Sequence, residues 1–430
     1  MNLYPLSDYQ IYDLTSKVVA LLAGTYLLML VVRRLSVSSS GLAIGAPIAA
    51  AFIVRLLAAN GLDQTPIAAQ LRGGDEGTFL SRAQDIAEQG IASSLSLDAL
   101  TTELHTFLFS LFARVLDPPP DMMLRIVMIT LAVTGIAFLA TTVYELAGAK
   151  AARLAAWIVA LEPTNVFFSG ILHKEPFMFL AEGLLVYGGA RVWKRADLRG
   201  LAPLAAGCLI AIATRPYVGW FFVAAAAAVV LHASAIHRRA DRSAALAAAA
   251  VLLACVFVPV AWQKSSSDKL EELQLSQNAN VTNENANLSL ERVDYSTRGA
   301  VVLNLPQRIR DVVLRPYPWQ LDNTSQRLGL LGTIVMLVGL ILLGQALVQN
   351  RTEIMRRAGP LVYPVLFVLA AYALSAGNAG TAFRYRTHVV AIMLCLLVAL
   401  RQQQAEERVR DDDARRVPAI GPLPNMRPAA

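Results

Sequence analysis

A chain of 430 residues, 56% hydrophobic and only 16% charged, lies outside the range of soluble globular proteins, where about 25% of residues carry charge. Its mean hydropathy of +0.49 points the same way. Lys and Arg number 38 against 31 Asp and Glu, a formal charge of +7; in so apolar a chain that excess belongs to membrane orientation and lipid headgroups, and nucleic acid is not an expected partner.

In chain order, apolar runs lie near 15–32, 41–59, 122–146, 154–172, 176–193, 200–214, 217–235, 243–262, 328–347, 359–376 and 388–400. A helix needs about 20 residues to cross the hydrocarbon layer, so the expectation is an all-α polytopic membrane protein with about eleven transmembrane helices. The runs at 200–214 and 388–400 are short and need tilt or flanking residues to span. Basic residues group in alternate loops: Arg33 and Arg34; Lys150 and Arg153; Arg191, Lys194, Arg195 and Arg199; Arg238, Arg239 and Arg242; Arg351, Arg356 and Arg357; and the tail from Arg401. With eleven spans all six groups fall on one side, which the positive-inside rule makes cytoplasmic. The N-terminus is then outside and the C-terminus inside. The first apolar run lacks the basic n-region and cleavage site of a signal peptide. Cys208, Cys255 and Cys395 sit in apolar runs without ligand spacing and read as small buried hydrophobes.

This topology leaves two long outer segments, 60–121 and 263–327. The first carries amphipathic patterns near 78–92 and 98–115, read as helices lying on the membrane surface. The second is polar and Asn/Ser-rich around 264–292 and turns compact around Leu305–Trp319. The tail from Gln402 to Ala430 mixes charges with prolines and reads as disordered.

A membrane protein keeps charge out of its spans unless it uses it, so four clusters at outer span ends stand out. Gly73-Gly74-Asp75-Glu76-Gly77 places two carboxylates before a surface helix, either as a ligand site or as a helix cap with dipole-matched acids. Ser169-Gly170-Ile171-Leu172-His173-Lys174-Glu175-Pro176 is a tight turn whose Lys174 and Glu175 either act in a site or simply pair at the interface. Thr214-Arg215-Pro216-Tyr217 and Arg384-Tyr385-Arg386 put cations on outer turns, against the positive-inside trend; Arg215, Arg384 and Arg386 therefore need partners, and a phosphate suits guanidinium.

Together these motifs resemble the GT-C superfamily of polyprenyl-phosphate-dependent glycosyltransferases, in particular its protein O-mannosyltransferase and aminoarabinose transferase branches and related bacterial envelope enzymes. Gly74-Asp75-Glu76-Gly77-Thr78-Phe79 with Ala83 resembles the acidic first-loop motif, with Phe79 where a tyrosine is common. His105-Thr106-Phe107-Leu108-Phe109 resembles a His-Pro-Pro-Leu-Tyr segment without its prolines. Glu162-Pro163-Thr164 through Lys174-Glu175-Pro176 resembles the span-turn-span unit of bacterial members, and Thr214-Arg215-Pro216 and Arg384-Tyr385-Arg386 fit as well. Arg315-Pro316-Tyr317-Pro318-Trp319 looks like an outer-loop segment of members from polysaccharide clusters. The likeness covers about 41–400, which makes 1–40 an additional N-terminal span, 41–400 a GT-C-like core with two large outer loops, and 401–430 a cytoplasmic tail.

The resemblance implies an enzyme of the bacterial inner membrane, with membrane lipids around it. Its donor is a sugar on a polyprenyl phosphate, and its acceptor is a hydroxyl on a glycan, lipid or protein. Asp75 is the implied base, with Glu76 in reserve. Lys174, Glu175, Arg215, Arg384, Tyr385 and Arg386 form the implied phosphate site, transfer inverts the anomeric centre, and no metal or other cofactor is expected. A phosphate leaves without a strong general acid, so one carboxylate can suffice. Two other readings remain open. One is a polysaccharide polymerase using a lipid diphosphate-linked oligosaccharide, which the Pro-Tyr-Pro-Trp segment favours. The other is a lipid-oligosaccharide flippase, which mostly clean spans with charges at their outer ends disfavour.

Overall fold

The structure, a computed structural model, describes residues 8–65, 75–89, 103–116, 118–237, 240–282, 290–322, 324–349 and 353–416. Among the described residues all regular structure is helical, with no strand. The helices are α1 (Asp8–Ser38), α2 (Gly45–Asp63), α3 (Asp75–Glu88), α4 (Leu104–Val115), α5 (Asp121–Leu161), α6 (Pro163–Phe168), α7 (Glu175–Arg195) and α8 (Leu201–Thr214). They continue with α9 (Pro216–Ile236), α10 (Ala240–Lys264), α11 (Ser267–Thr282), α12 (Arg298–Leu314), α13 (Thr324–Gln349), α14 (Ile354–Ser375) and α15 (Ala379–Arg416). Eight of the described helices are long and apolar enough to cross a membrane. On α10 the side chains of Val251, Leu252, Val256 and Trp262 are exposed, and such a face is stable in hydrocarbon rather than in water. The chain is a multi-pass membrane protein.

At 1.5 Å per residue, α5 would be about 60 Å long if straight, twice the hydrocarbon thickness. It doubles back instead. Gly148 has φ 82°, a conformation open to glycine, and Arg125 near the start of α5 donates to the carbonyl of Gly170 beyond its end at 3.1 Å. The returning arm breaks at Glu162-Pro163, because proline has no N–H to continue a helix. Glu162 accepts the backbone N–H groups of Thr164 and Asn165 at 3.2 and 2.6 Å. From α2, the buried Arg55 donates to the carbonyl of Ala160 at 2.8 Å. An acid thus meets the start of α6 and a cation the end of α5, as the helix dipoles favour.

The centre belongs to α15, whose residues Val389–Leu400 are all buried and which packs against α5, α12, α13 and α14. The short apolar run at 388–400 is therefore the interior of the bundle, where lipid contact is not required. Nearby, α5 and α7 cross at Gly135 and Gly183: a Cβ on Gly135 would lie 2.3 Å from the carbonyl oxygen of Phe179, and one on Gly183 2.4 Å from that of Gly135. Only glycine permits that approach.

Three expectations need correction. The segments at 78–92 and 98–115 were expected as helices lying on the membrane; α3 and α4 instead fold onto one end of the bundle, where Ala83 and Phe109 share a small core with Met123, Leu124, Leu172 and Phe177. Residues 90–102 lie outside the described residues. The tail from Gln402 was expected to be disordered, yet α15 continues to Arg416. It is held there because Gln403 donates to Leu146, Gln404 donates to Ala346, and Glu407 pairs with Arg357; 417–430 lie outside the described residues. The spans, expected to be mostly clean, bury Arg55, Arg125, Glu182, Arg386 and His388 within α2, α5, α7 and α15. A fourth expectation fails in part: Cys208 and Cys395 are buried, but Cys255, expected to be buried, is exposed on the same apolar face of α10 as Val251, Leu252 and Val256.

Candidate functional site

The clusters around Asp75, Lys174, Arg215 and Arg384 meet at one end of the bundle. Asp75 and Glu76 open α3, but their side chains diverge. Glu76 turns inward and accepts Nη1 and Nη2 of Arg125 at 3.0 and 2.8 Å, and the backbone N–H of Leu172 at 2.8 Å. Burial pushes the Glu76 carboxyl up, but the hydrogen bonds and charge of Arg125 outweigh it and hold the group below the usual carboxylate range. The pair ties α3 to α5 and to the turn before α7, which is an anchoring role.

Asp75 faces outward, half exposed, and accepts Nη1 of Arg384 at 3.0 Å. Because that bond crosses to α15, capping of its own helix does not account for the side chain. The same Nη1 lies 2.9 Å from Nδ1 of His173. A guanidinium only donates, so Nδ1 accepts and the ring proton is assigned to Nε2. Burial holds the imidazole below its ordinary value; Glu175 pulls it up, and Arg384 adds to the lowering. His173 is neutral at neutral pH.

Lys174 precedes α7 with its ammonium 5.6 Å over the ring of Phe79. Burial, with the charge of Arg215, lowers its pKa, and among the described residues it forms no ion pair. Phe79 also meets the rings of His105 and His173 edge-on, at 4.4 and 5.8 Å. Burial, then the charges of Lys174 and Arg215, hold His105 well below its ordinary value. Glu175, the first residue of α7, pairs with Nη2 of Arg215 at 2.6 Å, and both are buried. Arg215 lies 4.6 Å over the ring of Tyr385, whose hydroxyl meets that of Tyr217 at 2.8 Å.

Arg386 goes elsewhere. It donates to the carbonyls of Val313, Arg315 and Gly329 and to the hydroxyl of Thr333, which pins α12 and α13 to α15. Arg384 and Arg386, expected as cations in search of partners, both find them within the chain. Around the site four cations, Arg125, Lys174, Arg215 and Arg384, face three carboxylates, Asp75, Glu76 and Glu175. Among the described residues one positive charge is in excess, and Lys174 is the cation with no carboxylate within ion-pair distance. Such a cluster can take an anion, with guanidinium and ammonium donors together suiting a phosphate. Among the described residues, no three His, Cys, Asp or Glu side chains converge as metal ligands.

His105, His173 and Tyr217 lie inside the sequence motifs without an expected role, and Arg125, Glu182 and His388 lie outside them. The signal was present, since each of these last three is an ionisable residue within or at the edge of an apolar run. A scan against protein-family models, a search of curated proteins and a search of solved structures each find no match for this chain.

Proposed function

We propose that the chain is an integral-membrane glycosyltransferase of the GT-C type. It has eleven spans, an outer N-terminus and a cytoplasmic C-terminus, and sits in the bacterial inner membrane. It takes a sugar from a polyprenyl-phosphate donor and passes it, with inversion, to a hydroxyl of a glycan, lipid or protein on the outer face. Lys174 carries the reading: it is a half-buried cation that forms no ion pair among the described residues, it feels the charge of Arg215, and it follows His173, which meets Arg384. In this scheme Asp75 removes the acceptor's hydroxyl proton, the oxygen attacks the anomeric carbon, and the carbon–oxygen bond to phosphate breaks with its electron pair going to the phosphate. Lys174 and Arg384 balance the charge that grows there, while Glu175 holds Arg215 in position. Glu76 and Arg386 support the site through the protein rather than touching the reactants.

Mass spectrometry of surface glycans and polyprenyl-linked intermediates, with and without the protein, tests the assignment. A truncated glycan with accumulated lipid-linked sugar supports transfer, and accumulated oligosaccharide diphosphate instead points to polymerisation. Unchanged glycans and intermediates overturn both. One observation favours a second reading: the buried ionisable pair Glu182 and His388 is of a kind found in proton-driven transporters. Movement of a labelled lipid-linked oligosaccharide across sealed vesicles driven by a pH gradient, without bond breakage, would support that reading.

A further inference from the structure

Beneath the charged end, a second line of polar groups runs into the bundle. Glu182 lies seven residues after Glu175 on α7, two turns on and so on the same face, about 10 Å deeper at 1.5 Å per residue. Its Oε1 is 3.3 Å from Nδ1 of His388 on α15, and both side chains are fully buried. The His388 ring meets Phe179 at 4.5 Å and stacks on Tyr372 of α14 at 5.7 Å. Tyr372 stacks in turn on Tyr385 at 4.5 Å, and Tyr385 carries the Arg215 guanidinium that pairs with Glu175. Three helices and the α8–α9 junction thereby build a continuous path from the surface cluster to Glu182.

Along this path Oε2 of Glu175, Nη1 of Arg215, the Tyr372 hydroxyl, both Glu182 oxygens and both His388 ring nitrogens are buried and make no hydrogen bond among the described residues. Buried polar atoms of this kind are ordinarily met by ordered water, and water-linked acid, imidazole and phenol groups are how membrane proteins move protons. A lone carboxylate or imidazolium at this depth would be costly. A neighbouring acid and imidazole lower the cost, since a single proton on either group leaves the pair without net charge.

We propose that Glu182 and His388 form a one-proton site inside the membrane, coupled through Tyr372 and Tyr385 to Arg215, so that an anion bound at the surface cluster changes the proton held below. The charged and titratable groups facing the pair are Glu175 from α7, Arg215 and Tyr217 from the α8–α9 junction, Tyr372 from α14 and Tyr385 from α15. When a phosphate draws Arg215 away from Glu175, that carboxylate loses its counter-charge, and the path takes one proton from solvent onto an oxygen or nitrogen. No other bond forms or breaks, and the proton returns when the phosphate leaves. The coupling to phosphate rests on the proposed reading of the surface cluster; the proton pair itself does not.

The test is a pH titration of ¹⁵N-histidine resonances in the full chain in lipid nanodiscs, where His388→Gln identifies the resonance among five histidines. Without any ligand, Glu175→Gln leaves Arg215 positive and should lower the His388 midpoint, whereas Arg215→Gln leaves Glu175 negative and should raise it. Each shift is on the order of one pH unit. Opposite signs are the mark of electrostatic coupling, which a merely packed pair would not give. Shifts of one sign, no shift in folded variants, or a His388 resonance that never titrates overturns the proposal. In the unsubstituted protein, a polyprenyl monophosphate should also move the midpoint. Bound phosphate, seen by ³¹P NMR, with an unmoved midpoint overturns the coupling. Absence of binding overturns the phosphate reading of the cluster and leaves the two ligand-free variants to decide on the pair.

Discussion

Replacing Glu76 with alanine separates anchoring from chemistry at the first loop. Arg125 is 1% exposed; without Glu76 it keeps its bond to the Gly170 carbonyl but loses both carboxylate contacts, and the Leu172 N–H loses its acceptor. Truncating one member of a buried ion pair costs about 3–5 kcal/mol, chiefly because the other charge stays buried. Here the cost falls on the docking of α3, which Glu76 joins to α5. Ala83 reports that docking, because it is 2% exposed and sits on α3 in the small core. In a background without Cys208, Cys255 and Cys395, a cysteine placed by Ala83→Cys should react with a thiol reagent only when α3 opens. At tenfold per about 1.4 kcal/mol, Glu76→Ala should raise the open fraction by about two to nearly four orders of magnitude. Arg125→Met combined with Glu76→Gln should recover much of the loss, since neither charge is then left bare. The pH dependence has a definite sign. The folded Glu76 carboxyl lies below its ordinary value, so its contribution is complete above the unfolded value of about 4.3 and drains as pH falls through the folded one. Opening should therefore rise in acid in the parent protein and lose that component in Glu76→Ala. Unchanged labelling in Glu76→Ala, together with lost turnover, would refute the anchoring role and return Glu76 to the chemistry.

Asp75→Asn should fold and bind donor yet lose about 10²–10⁴-fold in turnover, the usual worth of a positioned base; near-normal turnover would leave Asp75 as a partner of Arg384 alone. Arg384→Ala should weaken donor binding by about 10- to 150-fold, the equivalent of one charge-assisted hydrogen bond of about 1.5–3 kcal/mol. Arg386→Ala should instead lower the melting temperature, because it strips donors from the Val313, Arg315 and Gly329 carbonyls; the reverse pattern would exchange their roles. For orientation, a cysteine at the exposed Ser296 should react with an impermeant reagent in intact cells, and one at the exposed Arg408 only after lysis. Labelling the other way round would invert the topology.

Hydropathy and charge spacing determined that the chain is helical and membrane-embedded, because burial in lipid requires each segment to satisfy its own backbone hydrogen bonds, and that requirement is local. The same local logic marked Asp75, Lys174, Glu175, Arg215 and Arg384 as charges at span ends. Which charge meets which is not local. Glu76 and Asp75 are neighbours in the chain, yet the turn of one helix sends the first inward to Arg125 and the second across to Arg384. Arg384 and Arg386, two residues apart on α15, face the site and the α12–α13 carbonyls respectively, since two residues on a helix are about 200° apart. The reversal at Gly148 and the break at Pro163 have sequence signals, but their consequence, Arg125 beside Gly170, exists only once both arms of α5 are packed. Glu182 and His388 were legible as ionisable residues in apolar runs. Only the approach of α7 to α15 made them a pair, and burial in a low-dielectric interior turns such a pair from an accident of composition into a site.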